Sequence, residues 1–148
     1  VSFMDLEVDV PVGKVKIRKV YCLQDSGKII NPQLAEGQMH GGVAMGIGYA
    51  LGEQMLFDAA TGRPLNNNLL DYKIPTCMDI PDMEIRFVET HEDSAPFGAK
   101  GLAEPPLIPQ AAAVRNAILH ATGVGMHKLP MNPQNLVHAF GEAGLIAQ

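Results

Sequence analysis

The sequence predicts an α+β chain with mixed or antiparallel strands, a buried glycine-rich helix, and a second helix after a Glu-Pro-Pro loop. Three observations carry this expectation. Residues 3–10 alternate Met4, Leu6, Val8 and Val10 against Asp5, Glu7 and Asp9, the period of a half-buried strand. Asn31-Pro32 reads as an N-cap followed by proline at the first helical position. From Pro105 onward, Leu107, Ala111, Val114, Ile118 and Ala121 recur at steps of four and three, the period of one helix face.

In chain order, Pro11-Val12-Gly13 turns the first strand into a second, in which Val15, Ile17 and Lys19 keep the period and Val20 to Leu23 form a buried end, so an antiparallel hairpin is expected. Asp25-Ser26-Gly27 makes the next turn, and a helix follows from Pro32 to about Glu53. Gly37, Gly41, Gly42, Gly46, Gly48 and Gly52 lie inside it. Each costs about 1 kcal/mol relative to alanine, so something must offset several. At 100° per residue, Gly37, Gly41, Gly48 and Gly52 share a face with Ala44, broadly opposite Met39, Val43, Ile47, Ala50 and Leu51. Such a helix is expected to be buried, with backbone close by along most of its length and a ligand near its N-terminus. Residues 54–57 read as a strand, 58–63 as a turn, Asn66 to Asn68 as turn and capping residues, and Ile74-Pro75 and Ile80-Pro81 as loop breakers. A strand over 83–90, a loop over 91–103, the helix from Pro105 to about Gly123 and a short helix from Asn132-Pro133 with Leu136, Val137 and Phe140 complete the chain. No clear βαβ train is visible.

At 148 residues, 47% of them hydrophobic and 18% charged, the chain has the size and composition of one globular domain. A net charge of −5 without a basic patch argues against a nucleic-acid partner. Cys22 and Cys77 have no CxxC spacing, which excludes an iron–sulfur cluster or structural zinc held within this chain, and both are expected as buried thiols of a reducing compartment. No apolar run reaches membrane-spanning length, so a soluble, cytoplasmic protein is expected. The start at Val1, directly in a strand pattern, suggests a segment of a longer polypeptide or a trimmed chain. The five histidines lack metal-ligand spacing and read as structural, and no phosphate loop or nucleophile elbow is present.

The residue with the most chemical promise is Glu104, set before Pro105-Pro106 and after the small residues Gly98, Ala99, Gly101 and Ala103. A residue before proline is driven to extended backbone, so its side chain can be aimed. A carboxylate at a helix start can also simply cap it. On spacing alone the cap weighs more. The bare approach to Glu104, with Lys100 as its neighbouring charge, tips the balance toward a site where a bulky ligand comes close.

Several motifs together, Gly27-Lys28-Ile29-Ile30-Asn31-Pro32-Gln33-Leu34-Ala35-Glu36-Gly37-Gln38, Gly41-Gly42, Gly46-Ile47-Gly48, Gly62-Arg63-Pro64-Leu65-Asn66-Asn67-Asn68-Leu69-Leu70-Asp71-Tyr72, Phe97-Gly98-Ala99-Lys100 and Glu104-Pro105-Pro106, resemble the C-terminal molybdopterin-binding domain of the xanthine dehydrogenase and aldehyde oxidase family, most of all in its bacterial molybdenum-binding subunits. The resemblance spans nearly the whole chain, residues 1–148, as one such domain, a fragment or separate subunit of a larger enzyme. It implies hydroxylation of purine, other N-heterocycle or aldehyde carbons with oxygen from water. Glu104 then aligns with the general base, Gln38 and Gly101 with cofactor contacts, and Leu102 with a position beside the substrate. The implied cofactor is molybdopterin, plain or as the cytosine dinucleotide, with molybdenum held by the pterin and by no protein ligand. Implied partners are the remaining molybdenum-binding domain and iron–sulfur and FAD domains or subunits, so the chain alone is expected to be inactive. The leading expectation is a xanthine dehydrogenase acting on xanthine or hypoxanthine, with an aldehyde, another N-heterocycle or an aromatic thioester as alternative substrates that the sequence does not settle. A non-catalytic scaffold or assembly module is the competing reading.

Overall fold

In the computed structural model, which describes residues 1–146, the N-terminal alternation forms β1 (Ser2–Asp9), antiparallel to β2 (Lys14–Gln24). Met4, Leu6 and Val8 turn toward the core and Asp5, Glu7 and Asp9 toward solvent. The phase slips in β2, because Asp5 pairs with Lys19 while Leu6 pairs with Ile17, leaving Arg18 as the extra residue of a bulge. Ile17, Val20 and Cys22 can thereby all face inward, whereas Tyr21 and Leu23 are exposed, so the expected buried strand end is buried only at alternate residues.

β3 (Asp82–Phe87) runs parallel to β2, from Lys19 opposite Asp82 to Gln24 opposite Phe87, and the sheet order is β1-β2-β3. Parallel neighbours need a crossover, and here it contains α1 (Pro32–Leu51). This corrects the reading that no βαβ unit is visible; the long irregular stretch between α1 and β3 hides it. The strand expected over 54–57 is reduced to one bridge between Phe57 and Pro64. Asn66 ties it down, accepting from Leu56 N at 2.8 Å and donating to Gln54 O at 2.6 Å.

The Asn31 side chain caps α1 by accepting from Leu34 N at 3.1 Å. Met39, Val43, Ile47 and Ala50 join Ile17, Val20 and Cys22 in the core, closed by Val114 and Ile118 of α2 (Gln110–Thr122) and Leu136 and Phe140 of α3 (Pro133–Glu142). The glycine row in contact is Gly42 and Gly46, which meet Pro106 and Gln110, with Gly48 against Glu53 and Pro75. Gly37 and Gly41 have nothing within 4 Å of an added Cβ. Leu34, Met45 and Tyr49 are exposed, so α1 is buried on one side only, contrary to the expectation of burial all round. Cys22 is buried as expected, but Cys77 is exposed on the loop before β3. Among the described residues no helix is long and apolar enough to cross a membrane.

α2 also starts later than its apolar period suggests. Pro105 precedes Pro106 and Ile108 precedes Pro109, and a residue before proline is kept from helical backbone. Residues 105–109 therefore form consecutive turns, and the helix propagates only from Gln110. Gln110 is fully buried, donating from Nε2 to Pro106 O at 2.6 Å and accepting from Ser2 Oγ at 2.8 Å, which locks the Pro106 turn between the start of β1 and α2.

Candidate functional site

β2 and α1 deliver two segments to one spot, the turn after β2 and the first turns of α1, and residues 97–104 cross in front of both. The crossing is held by main-chain bonds from Lys28 N to Gly98 O at 2.9 Å and from Lys100 N to Ser26 O at 2.8 Å, with a bridge between Gly27 and Ala99. Gly27 has φ +63° and Gly98 has φ +74°, backbone that favours glycine, and a Cβ on either would collide with the Gly98 carbonyl or the His91 ring respectively. The turn after β2, the first turns of α1 and the crossing loop enclose a cleft of about 210 Å³ lined by Ser26, Asn31, Leu34, Gln38, Lys100 and Leu102, among others.

The cleft brings together two of the residues singled out from sequence, Gln38 on α1 and Leu102 on the crossing loop. Gly101 adjoins it on the same loop, with its carbonyl accepting from Ser26 Oγ at 3.4 Å and open space where a side chain would stand. Glu104 follows outside the lining, exposed, with its main-chain oxygen accepting from Leu107 N at 2.9 Å. It caps no helix: α2 begins at Gln110, its N-cap is Pro109 and no side chain bonds there. The bland reading of Glu104 thus loses its structural basis.

Sequence reading treated Asp25 as a turn residue and missed its wider role. Its carboxylate accepts from Gly27 N at 3.0 Å, Thr90 Oγ1 at 2.7 Å and Lys100 Nζ at 3.0 Å. These bonds, the Gly27 amide first, lower its pKa from 3.8 to about 2. The only local signal was Asp two residues before Gly, a side-chain turn pattern; Thr90 and Lys100 are distant in sequence. A folded pKa below the unfolded one adds stability that is complete above the unfolded value and lost as pH falls through the folded one. The carboxyl ¹³C shift of Asp25 should accordingly titrate near 2, and the crossing should loosen between about pH 4 and 2. A midpoint near 3.8 would show that these bonds are absent in solution.

A larger cleft of about 970 Å³ lies at the opposite end of α1, between Lys14, Lys16 and Arg18 of β2 and residues 73–82, and contains none of the candidate residues. Arg18 there is paired with Glu7. Among the described residues, no three His, Cys, Asp or Glu side chains converge as metal ligands.

A family model described as a molybdopterin cofactor-binding domain matches residues 1–81, more than half of the chain. The chain belongs to the molybdopterin cofactor-binding domain family. It is 52% identical over 145 residues to the xanthine dehydrogenase molybdenum-binding subunit of Escherichia coli O157:H7, covering 98% of this chain and 19% of that protein. The nicotine 6-hydroxylase large subunit of Paenarthrobacter nicotinovorans is 42% identical over 137 residues, covering 90% of this chain and 17% of its own length. Among solved structures, quinoline 2-oxidoreductase from Pseudomonas putida 86 superposes with a TM-score of 0.85 at 34% identity, over 93% of this chain and 18% of that one. The Cu,Mo-CO dehydrogenase in its carbon monoxide reduced state gives a TM-score of 0.87 at 30% identity, over 97% of this chain and 18% of that one. This molybdopterin cofactor-binding chain therefore spans about a fifth of the length of the relatives it matches.

The residues present fit a molybdopterin. Gln38, whose amide carries both a donor and an acceptor, lines the cleft. Gly37 and Gly101, next in sequence to the lining residues Gln38 and Leu102, have nothing within 4 Å of an added Cβ, so a flat group can approach the backbone beside the cleft.

Proposed function

We propose that this chain forms one wall of the active site of a molybdenum hydroxylase of the xanthine dehydrogenase type, acting on purine carbons. The observation that carries the reading is the cleft that Gln38 and Leu102 both line, with Glu104 exposed two positions beyond Leu102 and unused as a cap. Higher identity to the xanthine dehydrogenase subunit, 52% against 42% for the nicotine 6-hydroxylase, favours a purine over another N-heterocycle. Another N-heterocycle hydroxylase is the runner-up, since the nicotine 6-hydroxylase large subunit is 42% identical, ahead of an aldehyde oxidoreductase subunit of Escherichia coli K12 at 33%.

In this reading Gln38 binds the phosphate or an edge of the pterin cofactor, in plain or cytosine dinucleotide form, with Gly101 leaving room beside it. Leu102 packs against the substrate ring and excludes water from one side. Glu104 accepts the proton of the attacking water-derived oxygen, for which it must come within hydrogen-bond reach. The chemistry the cofactor supplies when bound is a two-electron acceptor and a metal that acidifies that oxygen. The other walls come from the remaining molybdenum-binding domain, and electrons leave through iron–sulfur and FAD partners in a soluble, cytoplasmic assembly. Residues 1–148 act as a domain or subunit of that assembly, and alone they should not turn over.

Gln38→Ala tests the cofactor contact. A hydrogen bond to a charged group is worth about 1.5–3 kcal/mol, roughly a 10- to 150-fold loss of affinity. The assembled enzyme should lose molybdenum on dialysis while still-loaded molecules turn over at the normal rate. Full molybdenum retention with a collapsed rate per molybdenum would move Gln38 from holding the cofactor to the chemical step.

A further inference from the structure

We propose that Asp25 is a positioning residue whose carboxylate registers residues 97–104 against the turn after β2, presenting Leu102 and Glu104 in one conformation at the cleft mouth. The proposal rests on the reading of Glu104 as the proton acceptor. It starts from what the loop lacks. Gly98, Ala99, Gly101 and Ala103 offer almost no side-chain surface to bury, and glycines lose more conformational freedom on ordering than other residues. Only Leu102 packs against the core, so such a segment belongs to the low-stability end of a fold unless something outside it fixes the rest of its path. The loop is nevertheless held in a costly shape: Phe97 takes φ +57° with its ring 84% exposed. A non-glycine residue stays in that region only where its surroundings over-determine it.

Local bonds share that task, with Glu92 N donating to Gly98 O at 3.2 Å and the Ala95 and Pro96 carbonyls accepting from Gly98 N at 3.1 Å and Ala99 N at 3.2 Å, but the path from Lys100 onward is set by the 25–28 turn, and Asp25 gives that turn its shape. One carboxylate oxygen accepts from Gly27 N at 3.0 Å and from Thr90 Oγ1 at 2.7 Å; the other accepts from Lys100 Nζ at 3.0 Å. A single side chain thus joins the end of β2, the chain just past β3 and the crossing loop. Once Gly27 is fixed, Lys28 N and Ser26 O reach the Gly98 carbonyl and the Lys100 amide, so the turn and the loop form an antiparallel pair. These two routes differ in strength. Asp25 and Lys100 are 40% and 35% exposed, and an ion pair in that setting adds little. The route through Oδ1 and the shape of the turn is the stronger one, and an asparagine, which keeps Oδ1, should preserve it.

The experiment uses the full molybdenum-binding subunit in its assembled enzyme, with Asp25→Ala, Asp25→Asn and Glu104→Gln. Three quantities are read: hydrogen exchange at the Lys28 and Lys100 amides and in α1, molybdenum content, and steady-state kcat and KM with a purine substrate. Asp25→Ala should speed exchange at the two amides at least about tenfold, leave α1 protection and molybdenum content unchanged, and lower kcat by about 10- to 100-fold, the scale of a displaced catalytic group. KM should change less. Asp25→Asn should stay within about fivefold of wild type in kcat, because it loses only a half-exposed ion pair.

Unchanged exchange in Asp25→Ala, or fast exchange with normal kcat, would overturn the proposal. Loss of α1 protection or of molybdenum in Asp25→Ala would also overturn it, by showing a role in the fold at large, as would Asp25→Asn behaving like Asp25→Ala. Glu104→Gln separates the two levels of inference. If it collapses the rate while Asp25→Ala does not, only the positioning role fails. If it retains the rate, the reading of Glu104 fails, and with it any catalytic purpose for the tether.

Discussion

Glu104→Gln should reduce the rate of substrate oxidation per molybdenum in the assembled enzyme by at least about 10²-fold and leave the stability of the chain nearly unchanged. The amide is isosteric and keeps the junction with Pro105 and Pro106, but it cannot accept the proton, and a positioned general base contributes about 10²–10⁴-fold. The stability half follows from the fold. Glu104 is exposed, and α2 starts at Gln110 with no side-chain cap, so nothing in the helix depends on the carboxylate. An exposed substitution of that kind stays within about 0.5 kcal/mol, which removes unfolding as an explanation for lost activity. A variant that keeps more than about a tenth of the wild-type rate per molybdenum lies above the range of a general base and would return Glu104 to a surface residue.

The features legible in the sequence were those whose cause is local. The alternation of Met4, Leu6 and Val8, the Asn31 and Asn132 caps and the inward face of Val114 and Ile118 all appear as read. The misses have non-local or overlooked causes. Lys19 fails to continue the period because the bulge at Arg18 is set by pairing with β1, which no feature of β2 alone announces. The start of α2 was available in Ile108-Pro109, since that pair forbids helix before Gln110, but the apolar period drew the boundary back to Pro105.

For the site, residue types were legible and their connections were not. Gln38, Gly101, Leu102 and Glu104 were singled out from motifs, and the fold brings Gln38 and Leu102 to one cleft. The ion pair between Asp25 and Lys100 joins residues 75 positions apart, and neither residue carries a sign of the other. The glycines of α1 show the same limit. A helical wheel groups Gly37, Gly41, Gly48 and Gly52, but the turn that touches the helix comes from Pro106 and Gln110, and it selects Gly42 and Gly46 instead.

Gly42→Val should destabilise this chain by about 3 kcal/mol or more, the upper end of the cost of overpacking a tight contact. A Cβ at Gly42 would lie 2.5 Å from Pro106 Cβ and 3.2 Å from Leu107 N. Neither neighbour can retreat cheaply, because Pro106 is fully buried, its carbonyl accepts from the buried Gln110 amide at 2.6 Å, and Leu107 N is bonded to Glu104 O at 2.9 Å. Even Gly42→Ala sets a gain of about 1 kcal/mol in helix propensity against about 1–3 kcal/mol of overpacking, so the loss should win. Gly41→Ala is the control: nothing stands within 4 Å of its Cβ, so the propensity gain should survive and the chain become more stable by up to about 1 kcal/mol. The unfolding midpoints of the two alanine variants should move in opposite directions, each kcal/mol shifting Tm by about 2–4 °C for a chain of this size. Equal stability of Gly42→Ala and Gly41→Ala would mean that the Pro106 turn does not seat on α1. Since that turn begins at Glu104, the same measurement reports whether α1 provides the platform on which the carboxylate is aimed.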